Sequence, residues 1–139
     1  MTDHAHLSNE IEVTPAFYDV DPMSVVWHGH YVKYFELARS ALMSKFDYDY
    51  HAMRESGFFW PIVDMRIKFV RPAALKQLLK VKATITEFES RLRVDYRITS
   101  ATGDVVTKGH TIQVAVDANT MEMQWVCPKI LWDKLGVSP

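Results

Sequence analysis

The feature that most constrains this chain is a change of hydrophobic period partway along it. From Tyr31 the apolar residues Tyr31, Tyr34, Phe35, Ala38, Leu42 and Phe46 recur at helical spacing, which places one buried stripe on an α-helix near residues 29–46. After Gly57 the period drops to two. Val63, Met65, Ile67 and Phe69 alternate with Asp64, Arg66 and Lys68; Leu79, Val81, Ala83 and Ile85 with Lys80, Lys82, Thr84 and Thr86; Leu92, Val94, Tyr96 and Ile98 with Arg91, Arg93, Asp95, Arg97 and Thr99. Each run reads as a half-buried strand with a solvated outer face.

The remaining elements follow from punctuation. Ile11 to Val13 reads as a strand running through Pro15 toward Phe17 and Tyr18, with Pro15 implying an edge or a bulge. Residues 47–57 form a short helix or loop ending at Gly57. Thr102-Gly103-Asp104 turns into a strand from Val106 to Val116, and Asp117 to Thr120 turns again before a short strand at Met121, Met123 and Trp125. Pro128 and Gly136 bracket a short C-terminal helix.

One long helix followed by strands with hairpin-type connections predicts an α+β fold, a mainly antiparallel sheet carrying a helix on one face. The whole chain, 1–139, is expected to form one domain, with 1–9 a tail and 128–139 a short helix and tail. Such a sheet leaves its edge strands unprotected, and pairing with a second copy resolves this, so a homodimer or homotetramer is expected.

Composition removes several function classes. Sixteen Lys and Arg against seventeen Asp and Glu give a net charge of −1, which lacks the basic excess that nucleic-acid binding needs. The one cysteine, Cys127, cannot form an internal bridge, no apolar stretch approaches a membrane span, and Met1 to Glu10 is polar. A cytoplasmic protein with no membrane span is the expectation.

The chemistry concentrates in the run from Tyr18 to Arg39. Asp21 lies in a loop that leads within ten residues into a helix N-terminus. Unpaired N–H groups and the positive end of the helix dipole stabilise an oxyanion there, while a nearby carboxylate attacks or activates water. Acyl transfer is the natural reaction. An Asp in this position is also an ordinary cap or turn residue.

The run Asp21-Pro22-Met23-Ser24-Val25-Val26-Trp27-His28-Gly29-His30-Tyr31, with Lys33-Tyr34-Phe35-Glu36 and Ala38-Arg39 after it, resembles the hotdog-fold acyl-CoA thioesterases of the 4-hydroxybenzoyl-CoA thioesterase family. It is most similar to their short-chain branch associated with the Tol-Pal system. The likeness continues through Phe69-Val70-Arg71-Pro72-Ala73 and spans about residues 10–127. The resemblance implies a sheet wrapped around one long central helix, an acyl-CoA substrate and no cofactor. It also implies that Asp21 is the catalytic carboxylate, as nucleophile or general base, with the backbone N–H groups of His28 and Gly29 polarising the thioester carbonyl. A thioester is already electrophilic and its thiolate leaves readily, so this chemistry needs no metal. The family often has Gly where Ser24 stands and Asn where His30 stands.

Other residues carry two readings. Trp27, Tyr31, Phe59 and Trp60, with Phe58, are ordinary core or the lining of an acyl or aryl pocket. Lys68, Arg71 and Arg91, together with Arg93, are solvated strand-end charges or contacts for the coenzyme phosphates. Glu36 is a rival carboxylate, but Arg39 at i+3 favours a salt bridge. The His28/His30 pair lacks a completing ligand set for a metal; His110 reads as a core histidine, and Cys127 as a buried inert thiol. A non-catalytic acyl-CoA or small-ligand binding module and a hotdog hydratase or dehydratase remain alternatives to the hydrolase.

Overall fold

The computed structural model describes residues 4–139. The helical stripe forms helix α1 over Tyr31–Lys45, with Tyr31, Tyr34, Phe35, Ala38 and Leu42 buried and Phe46 half-buried just beyond its end. Asp47 in a left-handed conformation stops it. The Asp49 carboxylate then accepts the Ala52 N–H at 2.9 Å and caps a second short helix, α2, over Tyr50–Glu55. Gly57, at φ +92°, ends α2.

The strands are β1 (Ser8–Val13), β2 (Phe58–Phe59), β3 (Ile62–Phe69), β4 (Leu79–Glu87), β5 (Leu92–Ser100), β6 (Val105–Gln113) and β7 (Val116–Asp117), followed by helix α3 over Lys129–Leu135. Five of them form an antiparallel sheet in the order β1-β4-β5-β6-β3, and β2 pairs with β7. The hairpin expectation holds for β4-β5 and β5-β6. It fails for β3 to β4: β3 pairs with β6, and the link through Pro72 and Ala73 crosses to the far side of the sheet. Alternation alone gives a strand its faces and not its neighbour, which is why this link could not be read from the period.

The inner face carries Leu79, Val81, Ala83 and Ile85 of β4 and Leu92, Val94, Tyr96 and Ile98 of β5, all buried with the α1 stripe in one core. Phe35 of α1 stacks on Tyr96 of β5 with ring centroids 4.4 Å apart and planes at 6°. Gly109, the register neighbour of Tyr96 on β6, leaves room for this stack, because a Cβ there would lie 3.1 Å from the Phe35 ring and 2.2 Å from the Arg66 carbonyl oxygen. Lys and Arg side chains alternate onto the outer face, as the period requires.

Four sequence expectations are corrected. The first strand ends at Val13, and Phe17–Asp19 is a 3-10 turn, because Ala16 N–H and Asp19 N–H are both satisfied locally. Residues 4–9 are not a free tail: Leu7 is fully buried, His6 Nε2 lies 2.9 Å from the Leu135 carbonyl oxygen, and β1 begins at Ser8. Met1 to Asp3 lie outside the described residues. The strand from Val106 breaks after Gln113, where Val114 N–H turns to the Pro61 carbonyl, and Met123 makes a single bridge to Val116 in place of a strand. The C-terminal helix stands where Pro128 and Gly136 place it. No helix of the described residues is long and apolar enough to cross a membrane.

Candidate active site

The segment entering α1 is a tight hairpin of its own. Trp27 N–H donates to the Asp19 carbonyl at 2.9 Å, Val20 bridges Val26, and Asp21 N–H donates to the Val25 carbonyl at 2.9 Å. At the tip, Asp21 Oδ1 accepts the Met23 N–H at 2.8 Å, with Val25 N–H at 3.5 Å. Oδ2 carries no hydrogen bond among the described residues. One oxygen therefore fixes the loop and the other is available for chemistry. Ser24 closes the tip at φ +64°, the left-handed region that favours glycine, which accounts physically for the glycine the family often has there.

This hairpin is stitched to the second stretch that carries the resemblance. Val26 N–H donates to the Ala73 carbonyl at 2.8 Å, Val25 bridges Ala74, and Ala73 is fully buried. The Arg71-Pro72-Ala73 run is thus the bed on which the Asp21 loop lies.

From Trp27 the chain turns through a 3-10 turn, His28–His30, directly into α1. No carbonyl of the described residues accepts from the backbone N–H of His28 or Gly29, as expected for first-turn donors. The Trp27 ring lies over them, with centroids 4.9 Å from His28 and 5.4 Å from His30. His28 meets the edge of Phe69 at 6.3 Å, and Tyr31 meets the same ring at 5.6 Å.

A second carboxylate, Asp19, escaped the sequence reading. It is 3% exposed, accepts hydrogen bonds from Lys33 Nζ, from Tyr34 Oη at 2.9 Å and from Ala16 N–H at 3.0 Å, and lies 4.0 Å from His30 Nδ1. Burial pushes its carboxyl up, but these donors outweigh that and hold it below the usual range. Burial, and then Asp19 itself, push the Tyr34 hydroxyl far up, so it remains a donor. Alternation in Tyr18-Asp19-Val20-Asp21 gave no signal for Asp19, because residues two apart share a face and the period does not distinguish it from Asp21.

The other expected residues separate into groups. Phe59 and Trp60 line a cavity of about 620 Å³ with Glu36, Arg39, Tyr50 and Gln113. Trp60 is anchored there by its Nε1–H, which donates to Tyr48 Oη at 3.1 Å. Trp27 and Tyr31 lie at the start of α1, and Asp21, His28 and Gly29 do not line this cavity. Glu36 pairs with Arg39 at 3.4 Å. Arg71 is tied to Asp104 at 3.0 Å and Arg91 to Glu87 at 2.6 Å, while Lys68 projects on the outer sheet face. His110 also sits on that outer face, half-buried, with Nδ1 3.4 Å from Arg93 Nη2, because its strand partner is Asp95; the core position is taken by Gly109. Cys127 is buried, and burial with Glu89 nearby pushes its thiol up to about 12, so it carries no thiolate at neutral pH.

Comparison with known proteins agrees with this architecture. The Bacillus subtilis protein YneP is 28% identical over 119 residues, covering 84% of this chain and 85% of YneP. The Escherichia coli acyl-CoA thioester hydrolase YbgC is 25% identical over 105 residues, covering 75% of this chain and 78% of YbgC. The crystal structure of a DHNA-CoA thioesterase from Staphylococcus aureus superposes with a TM-score of 0.77 at 25% identity, covering 84% of this chain and 78% of that one. Residues 15–130, from the Asp19 hairpin to the start of α3, match the model of the thioesterase-like superfamily, and the chain belongs to that family and has its hotdog fold.

Proposed function

We propose that this protein hydrolyses acyl-CoA thioesters to the free acid and coenzyme A, as a member of the 4-hydroxybenzoyl-CoA thioesterase family close to its Tol-Pal-associated branch. The observation that carries the reading is the pairing, within one hairpin and its following turn, of a half-free carboxylate with first-turn N–H donors. The thioester carbonyl oxygen rests against the His28 and Gly29 N–H groups. As the tetrahedral oxyanion forms, these dipoles gain in strength without having to reorganise, an effect worth about 3 kcal/mol per donor in comparable sites. Either Asp21 Oδ2 takes a proton from the water that attacks the carbonyl carbon, or it attacks that carbon itself; the C–S bond breaks and the thiolate of coenzyme A leaves, and in the second case water then cleaves the mixed anhydride to the free acid and the Asp21 carboxylate. The relatives' names support the substrate class, YbgC being a thioester hydrolase and the Staphylococcus protein a DHNA-CoA thioesterase.

A second copy completes the site in this reading. The edge strand β3 exposes Val63 and Phe69, and the Asp21 hairpin exposes Phe17 and Met23; pairing of two such edges removes this apolar surface from water. The partner's hairpin then supplies what the aromatic cavity of each chain lacks.

Glu36 supports a second reading, because it lines the 620 Å³ cavity and Asp21 does not. Free-thiol release from short-chain, long-chain and aromatic acyl-CoAs by wild type, Asp21→Asn and Glu36→Gln separates the two. Asn keeps an Oδ1 acceptor for Met23 N–H, so the loop survives while nucleophile and base are lost. Turnover is expected to fall by at least about a thousandfold in Asp21→Asn and to persist in Glu36→Gln. The reverse pattern assigns the chemistry to Glu36. No thiol release from any ester that still binds makes the protein a binding module, and ester consumption without thiol release makes it a hydratase or dehydratase.

A further inference from the structure

On the outer face of the sheet, away from α1, cations stand shoulder to shoulder. Lys82 of β4 is the register partner of Arg97 of β5, Arg97 of Lys108 on β6, and Lys108 of Lys68 on β3. Neighbouring strands lie about 4.8 Å apart, so this row runs about 14 Å across the sheet. Arg66 of β3 adds a fifth positive charge one row along, opposite His110. Together they line a cavity of about 640 Å³, within the usual size of a small-molecule site.

None of these cations makes an ion pair among the described residues. The acid among the lining residues, Asp95, is already held by Arg93 Nε and Nη2, each at 3.2 Å, and by the Thr86 hydroxyl. Like charges directly opposite one another destabilise a sheet, and a chain with net charge −1 has acids enough to alternate them. The other basic residues of the strand ends, Arg71, Arg91 and Arg93, do have carboxylate partners. Five cations without a carboxylate partner among the described residues therefore stand together on one surface, rooted on a rigid four-strand ladder.

We propose that this face is a binding site for a free small anion carrying two or more phosphate groups, separate from the thioester site. A single phosphate meets two neighbouring cations and leaves the rest opposed; a polyphosphate spans the row. The row ends at β1, where Glu10 is the register partner of Lys82, which limits the length of anion the face accepts and disfavours a nucleic-acid strand. A second copy of the chain set against this face would bring two such rows together. The site is also on the opposite side of β3 from Phe69, which touches His28. The proposal does not depend on the thioesterase reading.

The test is calorimetric titration of the full chain with inorganic tripolyphosphate, coenzyme A and a short oligothymidylate at about 50 mM salt, where surface charge is weakly screened. The variant is Arg97→Gln/Lys108→Gln, and the charge-matched control is Lys80→Gln/Lys129→Gln, whose residues lie outside the cavity. Tripolyphosphate is expected to bind wild type and control alike and to bind the variant at least about tenfold more weakly, with coenzyme A affinity unchanged. The variant should melt no lower than wild type, since it relieves like-charge contacts, which shows that the loss of binding is not a loss of fold. Absence of tripolyphosphate binding to wild type, or an equal loss in the control, overturns the proposal. So does an equal loss of coenzyme A affinity, which assigns the face to the coenzyme's own nucleotide, and so does tighter binding of the oligonucleotide.

Discussion

The indole of Trp27 covers Gly29 so closely that a Cβ on Gly29 would lie 2.2 Å from Trp27 Cζ3. The residue at the start of α1 is therefore glycine for space, and Trp27 in turn fixes both flanking imidazoles. Gly29→Ala must push the indole away and tilt the turn that presents the N–H pair. Because the ring is about half exposed, at 49%, it can move without disturbing the core. The expected result is a melting temperature within a few degrees of wild type and a fall in kcat of at least about tenfold with a smaller change in KM, read by steady-state thiol release. A variant with wild-type kcat would remove His28 and Gly29 from the oxyanion role.

Ser24 closes the Asp21 loop in a left-handed conformation, which costs an L-residue about 1 kcal/mol. Ser24→Gly recovers this against a smaller loss to chain entropy, and the expected gain is about 0.5 kcal/mol in urea unfolding. Ser24→Val should cost about 1–2 kcal/mol, since a β-branched side chain resists positive φ. Equal stabilities of the two variants would mean the loop does not hold this conformation in solution.

What was legible in the sequence is what periodicity and local spacing encode. The α1 stripe, the faces of β3 to β5, the Gly103 turn and the bracketed C-terminal helix all depend on residues close in sequence. The pairing of β3 with β6 and the bed of Ala73 under Val26 join residues tens of positions apart, and no local period reports them. The same limit hid Asp19: its partners Lys33 and Tyr34 lie on α1, and only the folded hairpin brings the three together. Asp21 stood out as a candidate because its loop leads into the α1 N-terminus and because a resemblance marked it. Arg71 and Arg91 show the same limit, since charge at a strand end says nothing of the acid that faces it.

Cys127 should be silent in the thiol assay. Its thiol is 3% exposed and is held protonated at neutral pH, so Ellman's reagent added to folded protein is expected to report almost none of it over the minutes of a turnover measurement. Addition of denaturant should release one equivalent per chain. Prompt labelling of the native protein would place Cys127 outside the core and require a Cys127→Ala background for every rate.

Asp19 ties the hairpin to α1 through its charge. Its carboxyl titrates below the usual value in the folded chain, because the Lys33, Ala16 and Tyr34 donors outweigh burial. The unfolded chain titrates near the ordinary value of about 3.9. Its stabilising contribution is therefore complete well above that value and is lost as pH falls through the lower folded one. Asp19→Asn removes the charge but keeps one acceptor, and the expected cost at pH 7 is about 2 kcal/mol in urea unfolding. Between about pH 6 and pH 5 the gap between wild type and variant should be flat. Below about pH 4 it should narrow, as wild type alone takes up the proton. A gap that stays constant down to the acid transition would show that the shape of the side chain, and not its charge, holds the hairpin on the helix.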